Sequence, residues 1–263
     1  MRRALQFLRG KMRSAVWDAR GWMQWGGSRV YLPKRHHLGR RIIACGSYEP
    51  EVISIITAFA QSGSVVLDVG ANIGLIAVAL FERKMDIQVV SFEPSPNSLP
   101  YLQRTWDVSP FKDQWRIVNS GCGSREGCCE LRMASIADGA FDSFIANARV
   151  PVANTLQVPV VALDSWWREN GRPNISAVKI DVEGAERFVL EGMPELLSVC
   201  APVLVVEWNL RHIPVPEQSW LLEFSRSAGR VLVESTSLAQ VSSLSEIRVH
   251  LERGRDTFAV LPP

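Results

Sequence analysis

The sequence predicts an α/β domain built on a doubly wound, mostly parallel sheet of seven strands. Three observations predict it. Five short apolar runs alternate with helical segments from residue 65 to residue 206, which calls for parallel strands joined by crossover helices covering both faces. The first run leads directly into a glycine-containing turn, Gly70 to Gly74, and then an apolar helix. Two late runs, Val231 to Glu234 and Phe258 to Leu261, supply a closing antiparallel pair.

Over the first 25 residues Leu5, Leu8, Met12, Val16, Ala19 and Met23 share one helical face, with Arg2, Arg9, Arg13 and Arg20 beside it. That periodicity predicts a basic amphipathic helix. Gly26-Gly27, Pro33 and Lys34-Arg35-His36-His37 then read as a linker. The chain therefore divides into a basic extension over 1–41 and an α/β domain over 42–263. Within the domain, Val65 to Val69 is the first strand and Leu75 to Phe81 its helix. Ile87 to Phe92 is the second strand, and Ser95 to Trp106 a helix opened by Pro96. Trp115 to Asn119 is the third strand, and residues 121–163 form a hairpin and loop excursion. Ala177 to Ile180 is the fourth strand, followed by a helix from Ala185 to Glu191 that Gly192 stops. Val203 to Val206 is the fifth.

Composition narrows the function classes. With 263 residues, 47% hydrophobic and 21% charged, the chain is no disordered tail, collagen-like fibre or disulfide-stapled mini-protein. The net charge of +2 hides a split: residues 1–41 hold eleven Arg or Lys against the single acid Asp18, giving +10 and leaving −8 for the remainder. Five cysteines with the vicinal pair Cys128-Cys129 do not form a disulfide framework and lack zinc-ligand spacing. No run of 18 apolar residues and no cleavage-type site follow the basic start, so the expected location is cytoplasmic. The arm, with Trp17, Trp22 and Trp25, suits peripheral contact of residues 1–25 with an anionic membrane. Docking on a neighbouring subunit's acidic body, in a homo-oligomer, and covering the acceptor site are the other uses open to it. No nucleic-acid partner is expected, since no binding motif is recognisable and the body is acidic.

The turn Asp68-Val69-Gly70-Ala71-Asn72-Ile73-Gly74 sits where an open α/β sheet binds its ligand, beyond the carboxyl end of a strand. Gly70 lets the backbone pass close to that ligand and Gly74 starts the helix without a side-chain clash. The middle glycine of a dinucleotide fingerprint is missing. Asp68 suits a cationic ligand better than a phosphate, so the ligand should lack a pyrophosphate and carry an amine or sulfonium. Glu93 follows the second strand, 25 residues after Asp68, where a carboxylate accepts hydrogen bonds from both ribose hydroxyls.

These residues resemble a known family. Val65-Val66-Leu67-Asp68-Val69-Gly70-Ala71-Asn72-Ile73-Gly74 resembles the first motif of class I S-adenosylmethionine-dependent methyltransferases, a Rossmann-like fold. Lys179-Ile180-Asp181-Val182-Glu183-Gly184-Ala185-Glu186-Arg187-Phe188-Val189-Leu190-Glu191-Gly192 is similar to the hallmark of the FkbM family within that class. Gly46-Ser47-Tyr48-Glu49-Pro50, Phe92-Glu93-Pro94-Ser95 and Val205-Val206-Glu207 also fit its pattern. The resemblance covers roughly residues 45–261 and implies S-adenosyl-L-methionine as methyl donor, S-adenosyl-L-homocysteine as product, and a hydroxyl acceptor on a small molecule, sugar, glycan or polyketide-type natural product. Position by position it implies that Gly70, Asn72 and Gly74 face the methionine and ribose part, with Asp68 buttressing the loop. It further implies that Glu93 binds the ribose and that Asn119 and Ser120 lie near the adenine edge. Tyr48 and Glu49 either close over the methionine end or form a plain surface turn.

Methyl transfer to a hydroxyl needs alignment and a group to take the proton. Asp181 ends the fourth strand, and Glu183 and Glu186 are spaced to share a helix face. Asp181 and Glu183 are the candidate catalytic carboxylates. Glu183 has a second use, pairing with Arg187 at a helix N-terminus. His212, on the rim after Glu207, is the candidate imidazole base. Three carboxylates within six residues can take a divalent cation, but no metal ligands are assigned. Trp166, Trp167 and Trp208 fit either an acceptor pocket or the core. Two other readings are a nicotinamide-dependent oxidoreductase, disfavoured by the missing glycine, and a non-catalytic S-adenosylmethionine-binding module.

Overall fold

The computed structural model describes residues 20–25, 27–33, 38, 42, 47–83, 86–134, 142–144, 151–211 and 213–262. A seven-stranded sheet forms its centre. In chain order its strands are β3 (Val65–Val69), β4 (Gln88–Phe92), β5 (Trp115–Val118), β9 (Ile175–Ile180), β10 (Val203–Glu207), β11 (Val231–Glu234) and β12 (Thr257–Leu261). Their spatial order is β11-β12-β10-β9-β3-β4-β5. Every neighbouring pair is parallel except those made by β12, which runs antiparallel to both β10 and β11. The predicted sheet, including its closing antiparallel pair, is the one observed.

Alternation along each strand splits the core into two layers. On one face Val66, Val89, Ala177, Val205 and Ala259 pack under α1 (Pro50–Phe59), α2 (Leu75–Arg83) and α3 (Leu99–Asp107). On the other, Leu67, Val90, Val178, Leu204 and Val260 pack under α4 (Leu163–Glu169), α5 (Glu186–Glu191), α6 (Pro194–Cys200), α7 (Trp220–Ser227) and α8 (Leu244–Glu252). The excursion after β5 builds a small sheet from β6 (Gly121–Cys122), β7 (Gly127–Met133) and β8 (Asn154–Val161), in the order β6-β8-β7.

Two expectations change. The helix predicted over the first 25 residues does not reach its end: β1 (Trp22–Trp25) pairs antiparallel with β2 (Ser28–Tyr31). Residues 1–19, which carry most of that prediction, lie outside the described residues. Gly21 turns the chain with φ +72, and the period-two residues Val30 and Leu32 are fully buried. Tertiary packing against α3, where Thr105 Oγ1 accepts the Tyr31 amide at 3.0 Å, outweighs the helical spacing. The helix predicted from Ser95 starts later, at Leu99, because Ser95 and Asn97 turn back onto Glu93 and Asp142.

Gly192 caps the end of α5 as predicted, but without a left-handed turn. Its φ is −89, so it is no left-handed helix stop. A Cβ there would lie 2.1 Å from the Gly123 carbonyl oxygen, and the glycine instead lets the small sheet dock against the end of α5.

Candidate active site

The carboxyl ends of β3, β4, β9 and β10 open into one cavity of about 340 Å³, the position expected of a ligand site in an open α/β sheet. The β3–α2 turn makes its floor. Gly70 has φ +76, and a Cβ would stand 1.9 Å from the Asp181 carbonyl oxygen. Gly74 has φ +84 and would drive a Cβ to 2.7 Å from Leu102 and Trp115. Only glycine fits at either place. Asn72 is left-handed, φ 52, which asparagine tolerates best among side-chain-bearing residues. Its Oδ1 accepts the Ser98 hydroxyl at 3.2 Å.

Glu93 is buried on the opposite lip. Its two oxygens accept the amides of Asn72 at 2.7 Å and Ser95 at 2.8 Å. Burial pushes its carboxyl up to about 7, although those amides pull the other way and the Asp142 charge adds to the rise. A carboxylate has room for further donors beyond these two, so Glu93 can still hold a diol.

The strand registers explain the charged centre. Asp68 lies opposite Lys179 in the β3–β9 ladder, and both point to the α1 face. Asp68 is fully buried. The Lys179 Nζ donates to the Gly70 carbonyl at 2.9 Å and pairs with Asp181 at 3.3 Å and Asp68 at 3.6 Å. Burial alone would lower the Lys179 pKa, but the charges of Asp181 and Asp68 outweigh it and hold the ammonium above the ordinary lysine range. Burial raises Asp68, and Lys179 opposes that rise.

Asp181, Glu183 and Glu207 bring carboxylate oxygens within 4.8 Å of one another, all on the cavity wall. By chemistry alone such a set suits a cation or a shared proton, and Lys179 already fills part of the cationic role. Burial pushes Glu207 well above the usual carboxylate range, and the Asp181 carboxylate, then Glu183 and Asp256, add to it.

Glu186 does not join this wall. It turns inward, where its Oε1 accepts the amides of Val182 at 3.1 Å and Gly184 at 3.0 Å, and burial lifts it to about 7. Glu183 precedes α5 in a left-handed conformation, φ 56, so the two glutamates share no helix face. Arg187, the expected partner of Glu183, pairs instead with Glu191 at 2.7 Å and Glu217 at 3.1 Å.

The predicted adenine-edge pair falls off the cavity. The third strand ends one residue early, leaving Asn119 exposed, while Ser120 is buried and donates to the carbonyls of Gly121 and Pro159. Gly121 and Cys122 line the cavity in their place, together with Asp142, Ser143 and Phe144. His212 lies outside the described residues. Trp167 and Trp208 are core residues whose indoles donate to the carbonyls of Pro173 and Gln218. Trp166 lies against Phe92 at 5.4 Å, and none of the three lines the cavity. Tyr48, Glu49 and Leu38 close its α1 side, with Trp25 edge-on to Tyr48 at 6.5 Å.

Sequence reasoning missed Asp142 and passed over Glu207. Nothing local marks Asp142, which reaches the site through the excursion. Its oxygens accept the Ala134 amide at 2.7 Å, the Asn97 side chain at 3.0 Å and the Ser95 hydroxyl. Glu207 had a signal: counting in twos along β10 puts it on the face shared by Asp68, Lys179 and Asp181.

The doubly wound sheet with its reversed last strand and glycine-floored cleft is the class I methyltransferase fold. The chain belongs to the FkbM methyltransferase family, whose domain model matches residues 68–253. It is similar to the hexuronic acid methyltransferase AglP of Haloferax volcanii, 27% identical over 60% of this chain and 61% of that protein. It is also similar to the 2-O-methyltransferase NoeI of Sinorhizobium fredii, 24% identical over 55% of this chain and 63% of that one. The chain thus spans less than two thirds of the length of either relative. A crystal structure of an FkbM methyltransferase from Methylobacillus flagellatus overlays with a TM-score of 0.48 at 16% identity, covering 84% of this chain and 52% of that one. Among the described residues no helix is long and apolar enough to cross a membrane.

Proposed function

We propose that the chain is an S-adenosylmethionine-dependent O-methyltransferase acting on a hydroxyl of a sugar, glycan or other small molecule. Family membership supports the donor, and the relatives' names support the acceptor class. The observation that carries the reading is Glu93. It is a buried carboxylate fixed by two backbone amides at the lip of a cavity whose floor only glycine can form.

Gly70 keeps that floor clear while Gly74 seats the turn against the core residues Leu102 and Trp115, and Asn72 with Glu93 would hold the ribose side of the donor. The bound donor supplies an electrophilic methyl group on a sulfonium. Lys179 fixes the floor to the acid wall through the Gly70 carbonyl. Asp181 and Glu183, with Glu207 beside them, face the space in which an acceptor hydroxyl must lose its proton.

Calorimetry with S-adenosylhomocysteine tests the donor assignment, and no binding at millimolar ligand would refute it. Glu93→Ala should weaken binding by about 1 to 3 kcal/mol through loss of charge-assisted hydrogen bonds.

For location, we propose peripheral contact with an anionic membrane through the N-terminal segment. Trp22 in β1 lies between the guanidinium groups of Arg20 at 5.5 Å and Arg29 at 4.9 Å, an arrangement suited to an interfacial surface. The full chain should co-sediment with phosphatidylserine vesicles and lose that affinity in 0.5 M salt or when Arg20→Gln, Trp22→Ala and Arg29→Gln are combined. Equal sedimentation of the unaltered and altered chains removes the idea.

A further inference from the structure

Among the described residues lining the cavity, carboxylates outnumber cations. The groups facing Glu207 come from every side of the cleft. Asp181 and Glu183 follow β9, Asp256 precedes β12, and Glu49 and Glu51 belong to the α1 end. Among the described lining residues the cations are Lys179 and Arg255. Arg255 is tied at 3.2 Å to Glu234, a buried side chain outside the cavity lining. Lys179 is 3.3 Å from Asp181 and also serves Asp68.

Position decides which carboxyl keeps a proton. Asp181 lies 3.3 Å from the Lys179 ammonium, a contact that favours a charged carboxylate there. Among the described residues Glu207 has no cation of its own, and it stands against Asp181, so two adjacent anions are avoided by leaving a proton on the Glu207 side. Burial and these neighbours raise Glu207 well above the usual range, in the same direction as the geometry.

We propose that Glu207 is a proton store armed by the methyl donor: it carries a proton in the free protein, sheds it when a sulfonium occupies the cleft, and then takes the proton of the acceptor hydroxyl. This deepens the methyltransferase reading and rests on it. The donor and its product differ by one positive charge at sulfur. A cation beside the wall lowers the proton affinity of Glu207, and the neutral thioether does not.

The ledger closes. Glu207 binds the hydroxyl proton as the acceptor oxygen bonds to the methyl carbon. The carbon–sulfur bond breaks with its electron pair remaining on sulfur, leaving a neutral thioether. Glu207 ends protonated, its state before donor binding, so no proton need be exchanged with solvent while the acceptor is bound. The same charge difference makes the wall prefer donor over product, which favours product release.

The test needs no acceptor. Protons released on binding S-adenosylmethionine and S-adenosylhomocysteine are measured by calorimetry at pH 7.5 in buffers of different ionisation enthalpy, with EDTA present to remove stray divalent cations. Release from Glu93 is common to both ligands and cancels in the difference. The expected result is a larger release for the sulfonium, approaching one additional proton, and an affinity ratio of sulfonium over thioether that rises up to tenfold per pH unit. Glu207→Gln should abolish both the extra release and the pH dependence of the ratio.

Equal release for the two ligands, or an extra release that persists in Glu207→Gln, overturns the proposal. Binding of neither ligand by the unaltered protein refutes the donor reading instead. If the variant binds nothing, infrared difference spectra of the unaltered protein decide. The protonated-carboxyl band should disappear with the sulfonium and survive with the thioether, and its survival with both overturns the proposal.

Discussion

At the residue scale two buried glutamates are lifted to about 7 by burial, Glu93 at the cleft and Glu186 off its wall. A carboxyl raised from its ordinary 4.5 favours the folded state most when protonated. That stability is fully present below about pH 4.5 and is lost as pH rises through about 7. The shift corresponds to roughly 3 kcal/mol per group. Glu186 isolates the effect, since it lies off the cavity wall. Glu186→Gln keeps an oxygen for the Val182 and Gly184 amides and should flatten the fall in urea midpoint from pH 5 to 8. Glu186→Ala leaves both amides unmet and should cost about 1 to 3 kcal/mol throughout.

Single residues also show where the sequence was legible. Asp68, Gly70, Gly74 and Glu93 are tied to strand ends, so counting from the apolar runs locates them. Asn119 missed the cavity because β5 stops at Val118 and the chain bends into the small sheet. Glu186 was misplaced because helical spacing assumes α5 has already begun at Glu183, whereas Glu183 and Gly184 are both at positive φ. Asp142 is illegible by any local rule. Its place depends on the excursion folding back onto Ser95 and Asn97.

At the element scale, short helices here borrow their caps from neighbours. Helix α6 spans only Pro194–Cys200, too short to stand by propensity. Its first amides, Glu195 and Leu196, donate to Asp164 of α4, both at 2.8 Å. Asp164→Ala should therefore destabilise the protein by about 1 to 2 kcal/mol in urea melts. Donor affinity should be unchanged, because Asp164 does not border the cavity. Helix α8 carries its own cap: Ser243 Oγ accepts the Glu246 amide at 3.3 Å and Glu246 accepts the Ser242 amide at 2.7 Å. That box is readable as Ser-x-x-Glu in the sequence, whereas the α4–α6 pairing is visible only in three dimensions.

At the scale of the whole molecule, the basic N-terminal stretch is not simply an appendage. Val30, Leu32 and Leu38 are buried in the α1-side core, Gly27 donates to Glu82 at 2.7 Å, and Leu38 lines the cavity. Deleting residues 1–41 should remove on the order of 5 kcal/mol of apolar burial, comparable to the net stability of many domains. That chain should melt far lower or precipitate. The charge split seen in the sequence is real, but its boundary is not the boundary of the folded unit.

The reversed strand has a consequence for how the protein is assembled. Strand β12 lies between β10 and β11, so β11 reaches the sheet only through a partner that comes later in the chain. Beyond its local bonds to Ala239 and Val241, β11 hydrogen-bonds into the sheet only through β12, a pairing of the non-local kind that slows folding. Asp256 immediately precedes β12, and Thr257 pairs with Glu207. Any partly folded species lacking β12 therefore has an unfinished acid wall, and completion of the sheet and completion of the chemistry are one event.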